Sequence, residues 1–136
     1  MSRRAWQITS RTLLAFWVGC ALLEMTGAGP YLLRAYGADV AVPAWMYILL
    51  RSLEGPRRRQ VFHRLLGRTP GQAAAVLFIG STATELMQRF MPGGPIPGTF
   101  DKFDILAFAV GIGAVYALDK RTAQFRHRWH GPLGGA

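Results

Sequence analysis

The sequence is short of cysteine and of charge, and each shortage excludes a class of protein. Cys20 is the single cysteine among 136 residues, which excludes an internal disulfide framework and a thiolate metal cluster. Charged residues make up 17% of the chain, against roughly 25% in soluble domains. Because 51% of the residues are hydrophobic, the chain is not of the disordered class. We expect residues 1–136 to form one folded domain.

The sequence also lacks the motifs of common enzymes. It has no phosphate-binding loop ending in Lys and Ser or Thr, and no nucleophile elbow. Gly111 and Gly113 do not begin a dinucleotide fingerprint, because Tyr116 stands where the third glycine would be. None of the three histidines lies in an apolar run, which argues against haem or chlorophyll ligation. We therefore predict no enzymatic activity, no cofactor and no bound metal.

Four apolar runs organise the chain, at about residues 12–28, 40–53, 72–90 and 103–118. None shows the alternation of a half-buried strand, so the predicted fold is all-α with four helices. A bilayer-spanning helix needs about 20 apolar residues, and these runs are at or below that length. Hydropathy alone therefore leaves two alternatives open, a soluble helical bundle and a four-pass membrane protein.

The placement of charge favours the membrane protein. Thirteen of the sixteen basic residues lie at the two termini and in the second connector, whereas five of the seven acidic residues lie near the first and third connectors. This alternation is typical of the positive-inside rule, and a soluble basic protein has no reason to show it. We predict a four-pass transmembrane bundle in the cell inner (cytoplasmic) membrane, with both termini cytoplasmic.

Two basic stretches are predicted to lie on the inner membrane surface. Segment 56–68 combines arginines with an apolar helical face, and the tail 120–136 repeats the pattern with Phe125 and Trp129 among arginines. Such segments bind anionic lipid at the inner leaflet. No nucleic-acid-binding motif accompanies the charge, so membrane lipids are the predicted partners and nucleic acid is not.

The third apolar run ends in a polar face. On a helix, Ser81, Thr84, Glu85 and Gln88 lie on one side. A carboxylate near the end of a membrane helix is costly unless it faces protein or water. This pattern indicates a polar pocket at the outer leaflet. The alternative is an ion pair between Glu85 and Arg89 that completes the helix.

The fourth run opens with two aspartates after a connector rich in glycine and proline. Asp101 is placed to cap the fourth helix and Asp104 to lie in its first turn. Asp104 can also join Glu85 in a shared site that holds a proton, a cation or a polar ligand group. We expect Glu85 and Asp104 either to be buried together or to pair with Arg89, Arg34 or Lys102. The predicted ligand-binding set is Glu24, Asp39, Glu85, Gln88, Asp101 and Asp104.

The fourth helix carries small residues at helical spacing. Ala107, Gly111 and Ala114 lie on one face, and small residues let helices approach closely. We predict that this face packs against another helix.

Residues 76–118 resemble the VanZ-like family of small bacterial membrane proteins. The resemblance rests on a polar pair ending one helix and a Phe-Asp-x-x-Asp-Ile-Leu-Ala segment opening the next, followed by Gly-x-Gly. These are Glu85, Gln88, Phe100, Asp101, Asp104, Ile105, Leu106, Ala107, Gly111 and Gly113. It implies a four-helix inner-membrane protein of the cell envelope, in a family whose founding type is associated with resistance to glycopeptide antibiotics.

Two functions follow as hypotheses. The first is a VanZ-like membrane protein whose outer-leaflet polar cluster binds a polar ligand or lipid headgroup. The second is a non-catalytic accessory subunit that packs against a larger membrane protein complex, which the small-residue face and the short apolar spans suit.

Overall fold

The computed structural model describes residues 3–51, 66–67, 69–91, 94 and 100–129. Over these residues the protein is all-α and contains no strand, so the predicted fold class is confirmed at that level. The helices are α1 (Arg3–Thr26), α2 (Tyr31–Leu50), α3 (Pro70–Phe90) and α4 (Lys102–Trp129). The predicted interfacial segment 56–68 lies outside the described residues except for Leu66 and Gly67.

The second helix begins nine residues before its predicted start. Gly27 and Gly29 turn the chain with φ of 70° and 84°, conformations that favour glycine. Pro30 then caps α2, and its carbonyl accepts the backbone N–H groups of Leu33 and Arg34. Asp39 is therefore inside α2, whereas the predicted run begins one residue after it, at residue 40.

The other helices also extend beyond their apolar runs. α1 begins at Arg3 rather than at residue 12, and α4 continues to Trp129, through the first ten residues of the predicted basic tail 120–136. α3 begins close to its predicted start, because the Thr69 side chain accepts the Gln72 N–H and Pro70 fills the first turn. The apolar runs therefore do not mark the helix ends, because polar residues before the first run and after the fourth are helical as well.

α2 lies at the centre of the bundle. It contacts α1, α3 and α4, and α3 also packs against α4. Within the described ranges, α1 has backbone contacts with α2 alone. The core lies towards the end of the bundle where α2 finishes and α3 begins, and consists of Trp6, Ala44, Tyr47, Ile48, Ala73, Ile112 and Val115.

Two glycines allow close helix approach. A Cβ atom on Gly111 would overlap the backbone carbonyl of Val40, so this glycine sets the distance between α4 and α2. A Cβ atom on Gly37 would similarly meet the Cys20 sulfur of α1. Ala107 is buried one turn from Gly111, whereas Ala114 is exposed. The buried face of α4 continues instead through Val115, because the contact repeats every four residues.

The first helix leaves much of its apolar surface uncovered. Phe16, Val18, Leu22 and Met25 are all more than 40% exposed. Among the described helices, α1 is the one that is long and apolar enough to cross a bilayer, over Arg4–Thr26. One such helix near an N-terminus is also a feature of signal sequences and of soluble helical proteins.

Candidate functional site

Asp101 connects three helices at the end of the bundle where α1 and α3 finish and α4 begins, here called the acidic end. Its Oδ1 accepts the Phe103 backbone N–H at 2.9 Å, which caps α4. Its Oδ2 accepts the Tyr36 hydroxyl of α2 at 3.0 Å. Its own backbone N–H donates to Glu85 Oε2 of α3 at 3.3 Å. The cap predicted for α4 is therefore present, and it also holds α2 and α3 to the start of α4.

Other carboxylates surround this junction. Asp39 interacts electrostatically with Glu24, Glu85, Asp101 and Asp104, and Asp104 interacts with Glu85 and Asp101. Glu85 is only 5% exposed, whereas Glu24 is exposed at the end of α1. The structure thus brings the five predicted carboxylates to one end of the bundle. That they bind a ligand stays a prediction.

No basic side chain in the described part of the chain neutralises these carboxylates. The ion pair between Glu85 and Arg89, the alternative to a polar pocket, is absent, because Glu85 is turned towards Asp101 while Arg89 is exposed. Arg34 instead donates to the Gly27 carbonyl at 2.7 Å, and Lys102 lies 5.3 Å from the Phe103 ring centroid. Of the two expected arrangements, pairing of Glu85 or Asp104 with one of these cations is therefore not found among the described residues.

A groove of about 580 Å³ runs beside Glu85. α2 forms its floor, and Trp17 of α1 and the polar face of α3 form its walls. Since α1 and α3 share no backbone contact over the described residues, the groove lies in the gap between them. We call it the α1–α3 groove.

The groove has a polar and an apolar part. Its polar lining consists of Asp39, Ser81, Thr84, Glu85 and Gln88. Its apolar lining includes Trp17, Val42, Met46, Val76, Leu77 and Phe108. The four α3 residues predicted to share a face therefore line one cavity. Of the predicted ligand-binding set, Asp39, Glu85 and Gln88 line the groove, whereas Glu24, Asp101 and Asp104 lie outside its lining.

The sequence interpretation missed two aromatic residues of this site. Tyr36 holds Asp101 from α2, and Trp17 forms the α1 wall of the groove. Trp17 lies in an apolar run among Phe16 and Val18, so nothing local separates a groove-lining ring from a lipid-facing one. The role of Tyr36 could not be predicted, because the second predicted run begins only at residue 40.

A second polar cluster, also missed, lies at the opposite end of the bundle. Arg51 Nε contacts Asp119 Oδ2 at 2.7 Å, and the Tyr47 hydroxyl donates to the same oxygen at 2.9 Å. Arg51 Nη1 also donates to the Gly67 carbonyl at 2.7 Å. This cluster ties the end of α2 and the second half of α4 to the chain just before α3. In an antiparallel bundle, Arg51 and Asp119 lie towards the same end. This helix order is the signal from which their contact could have been predicted.

The described residues offer no place where three His, Cys, Asp or Glu side chains could share a metal ion. A smaller, apolar groove of about 330 Å³ lies between α3 and α4, lined by Ala74, Ala75, Phe78, Ala109, Ile112, Gly113 and Tyr116. It is separate from the acidic end, since neither groove shares a lining residue with the other.

Comparison with protein-family models, with curated protein sequences and with solved structures gives no match to this chain.

Proposed function

We propose that this protein is a four-pass envelope membrane protein that binds a polar ligand or a lipid headgroup in the α1–α3 groove. The observation that carries the proposal is Glu85, a carboxylate that is 5% exposed, lines the groove and has no basic partner among the described residues. The resemblance of residues 76–118 to the VanZ-like family is consistent with this role and remains a prediction.

The membrane part of the proposal is supported by charge and by helix length. The acidic end collects carboxylates, while most basic residues belong to the connectors and termini of the other end, as the positive-inside rule requires of an outer and an inner face. The shortest of the four described helices, α2, has 20 residues and is therefore about 30 Å long, the thickness of a bilayer's hydrocarbon core. The exposed apolar side chains of α1 suit contact with lipid.

The binding part is supported by the cost of an isolated carboxylate. An ionised group within a membrane bundle costs a few kcal/mol unless it meets water, a counter-charge or a hydrogen-bond donor. Glu85 accepts a backbone hydrogen bond from the Asp101 N–H at 3.3 Å, and it borders a cavity large enough for a ligand. A ligand that donates hydrogen bonds would reduce this cost. The proposal includes no catalytic step.

The test compares Glu85→Gln with Glu24→Gln, a matched change of charge at the same end but outside the groove lining. Native mass spectrometry of the full chain released from native-membrane nanodiscs would identify retained polar or lipid molecules. We expect wild type and Glu24→Gln to retain the same species and Glu85→Gln to lose it, with unchanged helical circular dichroism. Equal retention by all three proteins contradicts a binding role for Glu85.

The accessory-subunit hypothesis is favoured by a different observation, the apolar groove between α3 and α4. A helix of another protein could pack there against Ala75, Ala109 and Gly113. Purification without crosslinker would then yield stoichiometric co-elution with a larger complex. Gly113→Leu, which adds volume where no atom lies within 4 Å, should abolish the co-elution. A monomer that retains the groove ligand favours the first function.

A further inference from the structure

We propose that the occupant of the α1–α3 groove is a membrane lipid whose head carries a primary ammonium, with an acyl chain along the apolar lining. This inference rests on the proposed function and names the chemical class of its ligand. It follows from the charge of one part of the groove, the apolar character of the other, and the gap through which a lipid would enter.

The polar part of the groove selects for positive charge. Glu85 and Asp39 both line it, and Glu24, Asp101 and Asp104 add negative charge within electrostatic range of Asp39. Since no ion pair neutralises these groups within the described ranges, an anionic head would be repelled. A primary ammonium brings a positive charge and three N–H donors, which form charge-assisted hydrogen bonds with carboxylates.

A metal ion satisfies the charge less well than an ammonium. The described carboxylates are not placed so that three of them reach one ion, whereas cation sites for Ca²⁺ need six or more oxygen ligands. The polar lining also contains Ser81, Thr84 and Gln88. These groups can bond the phosphate ester and glycerol oxygens next to an ammonium, and a bare ion has no such oxygens.

The apolar part of the groove fits a hydrocarbon chain. Trp17, Val42, Met46, Leu77 and Phe108 line it on α1, α2, α3 and α4. Its volume of about 580 Å³ is within the usual range of ligand pockets, roughly 300–1,000 Å³. Because α1 and α3 have no backbone contact in the described part of the chain, a lipid could enter sideways between them. A water-soluble amine would gain nothing from this lining.

Quenching of Trp17 fluorescence tests the inference in the full chain. The protein is placed in phosphatidylcholine nanodiscs that contain a minor fraction of a lipid with brominated acyl chains, which quench a tryptophan they touch. The brominated lipid is phosphatidylethanolamine, phosphatidylcholine or phosphatidylglycerol. Subtracting the quenching measured for Trp17→Phe isolates the signal of the groove.

We expect brominated phosphatidylethanolamine to quench Trp17 at a mole fraction about tenfold lower than brominated phosphatidylglycerol. Tenfold is about the ratio of affinities that one charge-assisted hydrogen bond gives. Phosphatidylcholine, whose nitrogen has no N–H, should lie between them. Glu85→Gln should remove most of the preference, and Glu24→Gln should reduce it far less, because Glu24 lies outside the groove lining. If Glu85→Gln fails to fold, Asp39→Asn tests the same lipid preference, because Asp39 also lines the groove.

The outcomes separate this inference from the proposed function. Equal quenching by the three lipids in the wild-type protein overturns the ammonium preference and leaves lipid binding standing. A preference that Glu24→Gln reduces as strongly as Glu85→Gln overturns it too, because the selectivity then arises from surface charge alone. No difference between wild type and Trp17→Phe with any lipid overturns both the inference and the lipid-binding function.

Discussion

Gly111 and Gly113 show how much a single hydrogen atom in place of a side chain matters in this protein. Gly111 faces the Val40 backbone of α2, and a Cβ atom there would overlap the carbonyl oxygen. Gly113, two residues later on the same helix, has no atom within 4 Å of where its Cβ would be. The backbone of α2 cannot yield as a flexible side chain would, so the two positions should respond oppositely to the same change.

We expect Gly111→Ala to destabilise the protein by about 1–3 kcal/mol, the usual cost of overpacking. Gly113→Ala should stabilise it by up to about 1 kcal/mol, since glycine is a poor helix former. Both are measured by denaturant unfolding of the purified protein in detergent. Equal stabilities of the two variants would show that α2 and α4 are not held at this distance.

A second prediction at this scale concerns the buried charge pair. The side chains of Arg51 and Asp119 are 13% and 7% exposed, and Tyr47 donates to the same carboxylate oxygen. Removing one partner leaves the other without its counter-charge, a change that typically costs about 3–5 kcal/mol. Replacing both with apolar residues of similar size is often nearly neutral.

Arg51→Met should therefore lower the free energy of unfolding by about 3 kcal/mol. The double variant Arg51→Met with Asp119→Leu should recover most of that loss. The same unfolding measurement checks both, and the single variant Asp119→Leu completes the double-mutant cycle. A double variant as unstable as the sum of its single changes would mean that the two side chains do not interact.

Among the elements, α4 depends on its first residues. Asp101 both caps the helix and receives the Tyr36 hydroxyl, so the start of α4 is fixed to α2. Asp101→Ala should cost about 1 kcal/mol from the cap alone and should speed amide exchange at Phe103. Asp101→Asn keeps an oxygen at the cap and should exchange nearly as slowly as wild type. Faster exchange in both variants would assign the protection to charge rather than to capping.

Local signals determine how well each element could be predicted. α3 carries its own start signal, a Thr69–Pro70 pair before an apolar run, and its predicted bounds differ from the structure by two residues. α2 carries no such signal, because its first nine residues contain Arg34, Gly37 and Asp39 and look like a connector. Only packing against Cys20 of α1 makes Gly37 a helical contact residue rather than a break.

The site divides in the same way. The polar face of α3 could be read from spacing within one helix, and all four of its residues line the groove. The partners of those residues could not be predicted from the sequence, because they depend on how separate helices are oriented. Spacing alone allows Glu85 to pair with Arg89 four residues away, but Glu85 turns to the backbone of Asp101, just before α4.

At the scale of the whole molecule, the alternation of charge and the antiparallel helices make one prediction about orientation. The acidic end should face the cell exterior, and the connector between α2 and α3 should face the cytoplasm. Met91 serves as the labelling site for the acidic end, because it is 54% exposed just after α3. Arg58 serves as the labelling site for the connector between α2 and α3, to which it belongs by sequence.

In a Cys20→Ala background, Met91→Cys should react with a membrane-impermeant maleimide in intact cells. Arg58→Cys should react only after the inner membrane is permeabilised. The maleimide is read out by mass shift on a gel, with whole-cell lysate as the control for full reactivity. Labelling of Arg58→Cys in intact cells would refute the orientation, and labelling of both sites equally in a soluble fraction would refute the membrane protein itself.

The position of the single thiol makes its reaction rate a measure of how often α1 moves away from α2. Cys20 is free, 2% exposed and pressed against Gly37 of α2, and this face is the one that attaches α1 to the rest of the described bundle. A thiol reagent can reach the sulfur only while α1 swings away or the protein unfolds. Its reaction rate in the native protein therefore counts those excursions. The same helix carries Trp17, which forms one wall of the α1–α3 groove. A molecule in the groove that contacts both α1 and α3 would therefore lower the rate at which Cys20 reacts.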